Sequence, residues 1–284
     1  MIALARWAMS SRRQALIATT ACMAFPLLFW LGAALIALVV LREGEKEGRN
    51  IAFWAVLPTF AWLAMGDATP LVVLLGSFFL AAIVRQSNRL DWAILMSAGL
   101  GILVYFSLPS LIPEVLPLVI SNSEAVLADG LQQRPDMAAQ LQPLVAPIVQ
   151  GVLAALHVLI FILCLLLGRY WHSEFDHPGG FGTEFKQLRL SPGFALLVVL
   201  AVLLSEQMQP QLVGLLPLLT VPLALMGLAV FHGVVTITKA SSTWTVVFYA
   251  TFFVFGPYMY TLLIFVALLD TLINIRARLK DTAS

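Results

Sequence analysis

The chain is poor in groups that could do chemistry, so the few it carries stand out. The run Trp171-His172-Ser173-Glu174-Phe175-Asp176-His177-Pro178 sets two imidazoles and two carboxylates within six residues. Imidazole and carboxylate oxygen are ligands for divalent metals if the backbone folds them around one point. The spacing matches no established ligand pattern, and polar residues in a loop need no special reason, so no metal centre is expected. Three further ionisable side chains fall in or beside apolar runs: His157 in the middle of residues 144–167, His232 about two helical turns before Lys239, and Glu206 at a turn between apolar stretches. Placing such a group in hydrocarbon costs a few kcal/mol, so it faces the interior of a bundle or a cavity. The simpler reading of both histidines is a neutral ring hydrogen-bonded between helices; the sharper one is solute binding or proton handling. Near the end of the chain Asp270, Asn274 and Arg278 recur every four residues and would share one helix face, with Arg276 beside them. A carboxylate at the membrane edge is costly unless paired, and Arg276, Arg278 or the loop residue Arg189 could pair it. This group is expected to be a structural clamp.

The motifs of autonomous catalysis and energy coupling are missing. The chain has no G-x-x-x-x-G-K-[ST] phosphate loop, no G-x-G-x-x-G, no H-E-x-x-H and no G-x-S-x-G. The two cysteines, Cys22 and Cys164, lie in apolar runs and read as small packing residues rather than a disulfide or thiolate site. No enzyme activity and no cofactor are expected.

The elements that must position these residues are set by composition. Of 284 residues, 61% are hydrophobic and 11% charged, and the mean hydropathy is +0.95. A soluble domain carries about 25% charged residues, so a solvated globule is excluded. The formal charge of +1 leaves no basic field for nucleic acid. The partner implied is the lipid bilayer. Seven apolar stretches can be marked, at residues 15–41, 51–84, 92–111, 144–167, 192–204, 212–237 and 244–273. None alternates as a barrel strand would, so an all-α, polytopic transmembrane bundle is predicted, forming a single integral membrane domain over 1–284. Several stretches exceed the roughly 20 residues of one crossing and carry breakers: Pro26 in the first, the run from Gly66 to Pro70 in the second, Gly256-Pro257 in the last. These can be hairpins of two short or tilted helices.

Positive residues in short loops stay cytoplasmic. They gather at Arg6, Arg12 and Arg13, at Arg42, Lys46 and Arg49, at Arg85 and Arg89, at Arg169, Lys186 and Arg189, at Lys239, and at Arg276, Arg278 and Lys280. Placing every cluster on one side puts both termini in the cytoplasm and predicts about eight crossings, within a range of eight to ten. Residues 113–143, with only Arg134 as a cation, become an outer amphipathic segment. Residues 169–191 become a cytoplasmic loop that faces partners or merely links. Ala15, Ala18, Ala21 and Ala24, then Ala33 and Ala37, are small residues that would permit close helix docking.

Three segments resemble the YybS-like family of bacterial polytopic membrane proteins: Glu184 to Pro192 (EFKQLRLSP), Gly227 to His232 (GLAVFH) and Leu268 to Arg278 (LLDTLINIRAR). The order of hydrophobic segments is similar over nearly the whole chain, the motifs over its second half. That family is distantly similar to the S components of energy-coupling factor transporters, helical bundles that capture a vitamin or metal and dock on a separate ATPase. The resemblance implies the bacterial inner membrane and a solute-binding or transport subunit without its own ATPase, partnered by a separate membrane or ATPase subunit. His157, His232, Tyr105, Tyr249, Tyr258 and Trp244 are the expected cavity lining. The alternative is a non-transporting scaffold or assembly factor acting through residues 169–191 and the basic tail. The two differ in the middle of the bundle: a transporter needs polar groups converging there, whereas a scaffold can pack solidly.

Overall fold

The computed structural model describes residues 2–283, with side chains through Leu279; the Lys280 side chain, one of the basic positions above, lies outside the described residues. Helix follows helix: α1 (Ile2–Ala8), α2 (Arg12–Ala24), α3 (Phe29–Glu43), α4 (Glu45–Ala64), α5 (Thr69–Ser87), α6 (Leu90–Leu111), α7 (Val115–Gly130), α8 (Pro135–Asp176), α9 (Gly180–Lys186), α10 (Pro192–Leu203), a 3-10 turn at Ser205–Gln207, α11 (Pro210–Val213), α12 (Leu216–Ile237), α13 (Ser242–Val254), α14 (Gly256–Ile273) and α15 (Ile275–Ala283). No strand occurs among the described residues. Five segments among them are long and apolar enough to cross a membrane: Thr69–Ser87, Leu90–Leu111, Pro135–Asp176, Pro210–Ile237 and Gly256–Ile273. The chain is an all-α membrane protein.

The long apolar stretches break where their sequence punctuation stands. Pro26 falls between α2 and α3, which fold back on each other so that Gly32 of α3 meets Met23 and Thr19 of α2. Between α4 and α5 the backbone turns at Gly66, with φ of +87°. The Asp67 carboxylate there accepts the Thr69 N–H at 2.9 Å, satisfying one of the orphan donors that open a helix. The last stretch folds into α13 and α14, joined at Phe255-Gly256.

Two segments hold more helix than the sequence reading gives them. The stretch 113–143 holds α7 and then the opening of α8, which starts at Pro135 and runs on through Pro143 and Pro147. An internal proline forfeits one backbone bond, a loss that neighbouring helices compensate in membrane bundles. The stretch 169–191, read as a loop, stays helical to Asp176 because no breaker precedes His177-Pro178-Gly179. Gly179, at φ +81°, then reverses the chain into α9.

α8 is the axis, packed on by α3, α5, α6, α7 and α12, while α12 carries α14 on its other side. Lipid gives apolar helices little reason to associate, so small residues and close backbone approach do much of the work. Gly168 of α8 lets the backbone of α3 come within van der Waals contact at Ala34 and Ala37. Ala33 and Ala37 are thereby fully buried inside the chain. Ala15 and Ala18 are buried as well, leaving only Ala21 and Ala24 exposed. The small-residue series therefore packs this chain against itself over most of its length.

Candidate functional site

The basic clusters, scattered through the sequence, meet at one end of the bundle, where α2, α4 and α6 begin and α3, α5, α8, α12 and α14 end. A chain of ion pairs and hydrogen bonds joins several of them. Arg12 pairs with Glu47 at 2.6 Å, and Arg42 reaches both Asp176 oxygens at 3.1 Å while lying 5.0 Å over the Phe175 ring. Gln86 donates to Glu45 at 2.7 Å, and the Arg85 guanidinium donates to the Leu41 carbonyl. Arg89 binds Asp91 at 2.6 Å, a bond and charge that hold its pKa above the ordinary arginine value. Arg169 pairs with Glu184 at 2.9 Å, tying α9 to α8.

The imidazole and carboxylate run of residues 172–177 lies in this chain. An apolar stretch of about 20 residues fills a bilayer core, which α8 supplies at 144–167, so its turns from Arg169 onward stand outside. Arg169 can only donate, so the His172 Nδ1 at 3.0 Å accepts. That leaves the proton on Nε2, 3.6 Å from Asp176. Burial first, then the charge of Arg169, pushes the His172 pKa down. His177 instead bonds the Asp176 backbone carbonyl, so the two imidazoles do not converge. Among the described residues no three His, Cys, Asp or Glu side chains converge on a point that could hold a metal ion.

The most buried charges of this end belong to Asp270 and Arg276. α14 ends at Ile273 because Asn274 adopts a left-handed conformation, φ +51°, and α15 starts at once. The face that four-residue spacing would give Asp270, Asn274 and Arg278 is therefore interrupted. What the turn creates instead is a new helix N-terminus, whose Arg276 N–H donates to Asp270 Oδ1 at 3.3 Å. The Arg276 guanidinium bonds Asp270 Oδ2 at 2.9 Å, the Lys186 carbonyl at 2.6 Å and the Leu188 carbonyl at 2.8 Å. Arg189 adds a bond of 3.1 Å to the Asp270 backbone carbonyl and lies 3.8 Å from its carboxylate. Asp270 is fully buried, and Arg276 is 6% exposed. Sequence reasoning missed Glu184, Lys186 and the Leu188 carbonyl, because each meets its partner across a helix break that no periodicity spans.

The six aromatic and imidazole residues read as a lining are distributed over separate places. The His232 ring nitrogen meets the Tyr249 hydroxyl at 2.8 Å, in a groove of about 340 Å³ with Phe181, Phe185 and Tyr170. His157 bonds the Leu153 carbonyl of its own helix at 2.8 Å and meets the Phe161 ring edge-on. Tyr105 donates to the Gln211 carbonyl at 3.0 Å, and Gln150 donates to the Tyr105 carbonyl. Tyr258 and Trp244 are exposed, since α13 and the start of α14 lie on the outside of the bundle. Glu206 is exposed in its 3-10 turn. Around Tyr105 the helices touch: a Cβ on Gly151 would overlap the Gly214 carbonyl, and one on Gly214 would overlap the Pro147 carbonyl and Tyr105 hydroxyl.

Comparison with protein-family models, with curated proteins and with solved structures gives no match for this chain.

Proposed function

We propose that this chain is a multi-pass protein of the bacterial inner membrane, acting as a scaffold or assembly factor through its basic end rather than carrying a solute. Counting each hairpin as two short crossings, the chain passes the bilayer ten times, the upper end of the range read from the sequence, with both termini and α9 in the cytoplasm. The observation that carries the scaffold reading is what the polar groups inside the bundle bond to. His157 bonds its own helix, Tyr105 and Gln150 bond carbonyls of neighbouring segments, and the backbones at Gly151 and Gly214 touch. These groups bond backbone carbonyls, within one helix for His157 and between segments for Tyr105 and Gln150, instead of facing a common cavity. The gathering of cations at one end supports the orientation, because cations in short loops are retained in the cytoplasm.

Two measurements test the reading. Export-dependent reporter fusions should be silent after residue 279 and active within 121–140; the reverse pattern would overturn the orientation. Complexes extracted in mild detergent should exceed the mass of this chain and its micelle and should lose that excess when residues 180–187 are replaced by a Gly/Ser segment. Saturable small-solute uptake by the purified chain in liposomes would instead favour the S-component-like reading.

A further inference from the structure

Between α9, the last turn of α12 and the α14–α15 junction lies a cavity of about 310 Å³. That is the low end of the range for small-molecule sites. Its wall holds Lys186, Arg189 and Arg276, with Thr183, Gln187 and Asn274 supplying hydroxyl and amide groups. Among the described residues no carboxylate lines it. The nearest acids are committed elsewhere. Glu184 is taken by Arg169, and Asp270 sits behind the wall, with Arg276 on both its oxygens. Among the described residues Asp270 is the one carboxylate paired with the cations of this wall, through Arg276 and Arg189, and Lys186 forms no ion pair, so two positive charges are left over. The wall is also rigid. Arg276 donates to the carbonyls of Lys186 and Leu188, pinning the end of α9 so that the lysine stem starts from a fixed point beside the cavity.

A small cavity that sets three cations among apolar walls at the charged end of a membrane bundle suits an oxyanion carried on an organic group. We infer that it binds a phosphate ester, with Lys186 as the principal charge contact, Arg189 as the second, and Thr183 and Gln187 donating to the phosphate oxygens. A phosphomonoester balances both free charges and a phosphodiester one of them, and ammonium and guanidinium groups are the usual partners of phosphate. Basic pockets between helices at a membrane surface take phospholipid headgroups; a soluble phosphate ester offers the same chemistry. The site does not depend on whether the chain is a scaffold or a solute carrier.

The full chain is placed in nanodiscs of phosphatidylcholine alone or of phosphatidylcholine with phosphatidylglycerol, and its thermal midpoint is read. Inorganic phosphate and glycerol 3-phosphate are titrated separately into the phosphatidylcholine discs. Lys186→Gln should weaken binding about fivefold, the effect of one lysine charge near a surface, and Thr183→Glu should abolish it by placing a carboxylate in the cavity. Arg13→Gln, at an exposed cation of the same end away from the cavity, should change nothing. A Lys186-dependent rise with phosphatidylglycerol supports the site with a lipid as source. A Lys186-dependent rise with the soluble esters alone supports it with a metabolite as source. Equal losses for Arg13→Gln and Lys186→Gln, or no Lys186-dependent shift with any probe, would overturn the assignment.

Discussion

Removing the charge of Asp270 should be among the most damaging conservative changes in the chain. Asp270→Asn keeps the size of the side chain and an oxygen for the Arg276 N–H, but leaves the Arg276 guanidinium, whose side chain is 7% exposed, without a counter-ion. Breaking a buried pair on one side costs about 3–5 kcal/mol. Two features pull the figure to the lower end. Arg276 keeps its bonds to the Lys186 and Leu188 carbonyls, and Arg189, with a side chain 43% exposed, can turn to water. The expected loss is therefore about 3 kcal/mol, read by thermal or denaturant unfolding in detergent. Asp270→Ala should lose about 1 kcal/mol more, since the Arg276 N–H then has no acceptor. The double change Asp270→Asn with Arg276→Met should be less damaging than the two single losses added together, because no buried charge remains. Stability of Asp270→Asn within about 0.5 kcal/mol of the original chain, or strict additivity in the cycle, would refute the reasoning and mark the carboxylate as solvated.

Other positions separate packing from polar roles. Gly227→Ala puts a Cβ into the Leu263 backbone of α14 and should cost about 1–3 kcal/mol or more; Gly99→Ala, with nothing within 4 Å, should stay within about 0.5 kcal/mol. Similar midpoints for the two would contradict the close α12–α14 contact. His157→Leu removes a hydrogen bond and a ring contact that both lie within its own helix, so abundance and midpoint should move by no more than about 1 kcal/mol, and a larger loss would reveal a further partner of the ring. His172 has a pKa below its ordinary 6.5, set by burial and by Arg169, Arg42 and Arg85 against Asp176. The unfolded chain therefore takes up a proton first as pH falls, so its contribution is complete above about 6.5 and fades below that value. Melting across that window should fall more steeply for the original chain than for His172→Gln, and parallel curves would count against the neutral tautomer.

Helices were legible here because lipid leaves the backbone few alternatives, and breaks were legible where residues carry a backbone constraint of their own. Pro26, Gly66 and Gly256 interrupt apolar runs, and the chain turns at or beside each. Pro143 and Pro147 show the limit of that reasoning: the same residue type stays within α8, because whether a lost hydrogen bond breaks a helix depends on what packs against it. The glycines, histidines and acids of 169–191 read as a loop, yet residues 169–176 are helical, because polarity reports solvent rather than conformation and a helix can leave the apolar layer without ending. The Asp270 cluster is the sharper case. The residue types near a membrane edge announced a paired carboxylate, while the four-residue spacing assumed an unbroken helix. Asn274 at φ +51° removes that assumption and brings Arg276 onto the carboxylate through both its backbone and its side chain. Asparagine tolerates the left-handed conformation better than most residues, so the signal was present, but it competes with the strongly apolar run before it. No such local signal exists for Lys186 and Leu188: their carbonyls become partners of Arg276 only because α9 folds back over the end of α12. That fold-back rests on Gly179 and on the Arg169–Glu184 pair, so the cation-rich cavity exists only once the tertiary structure has formed.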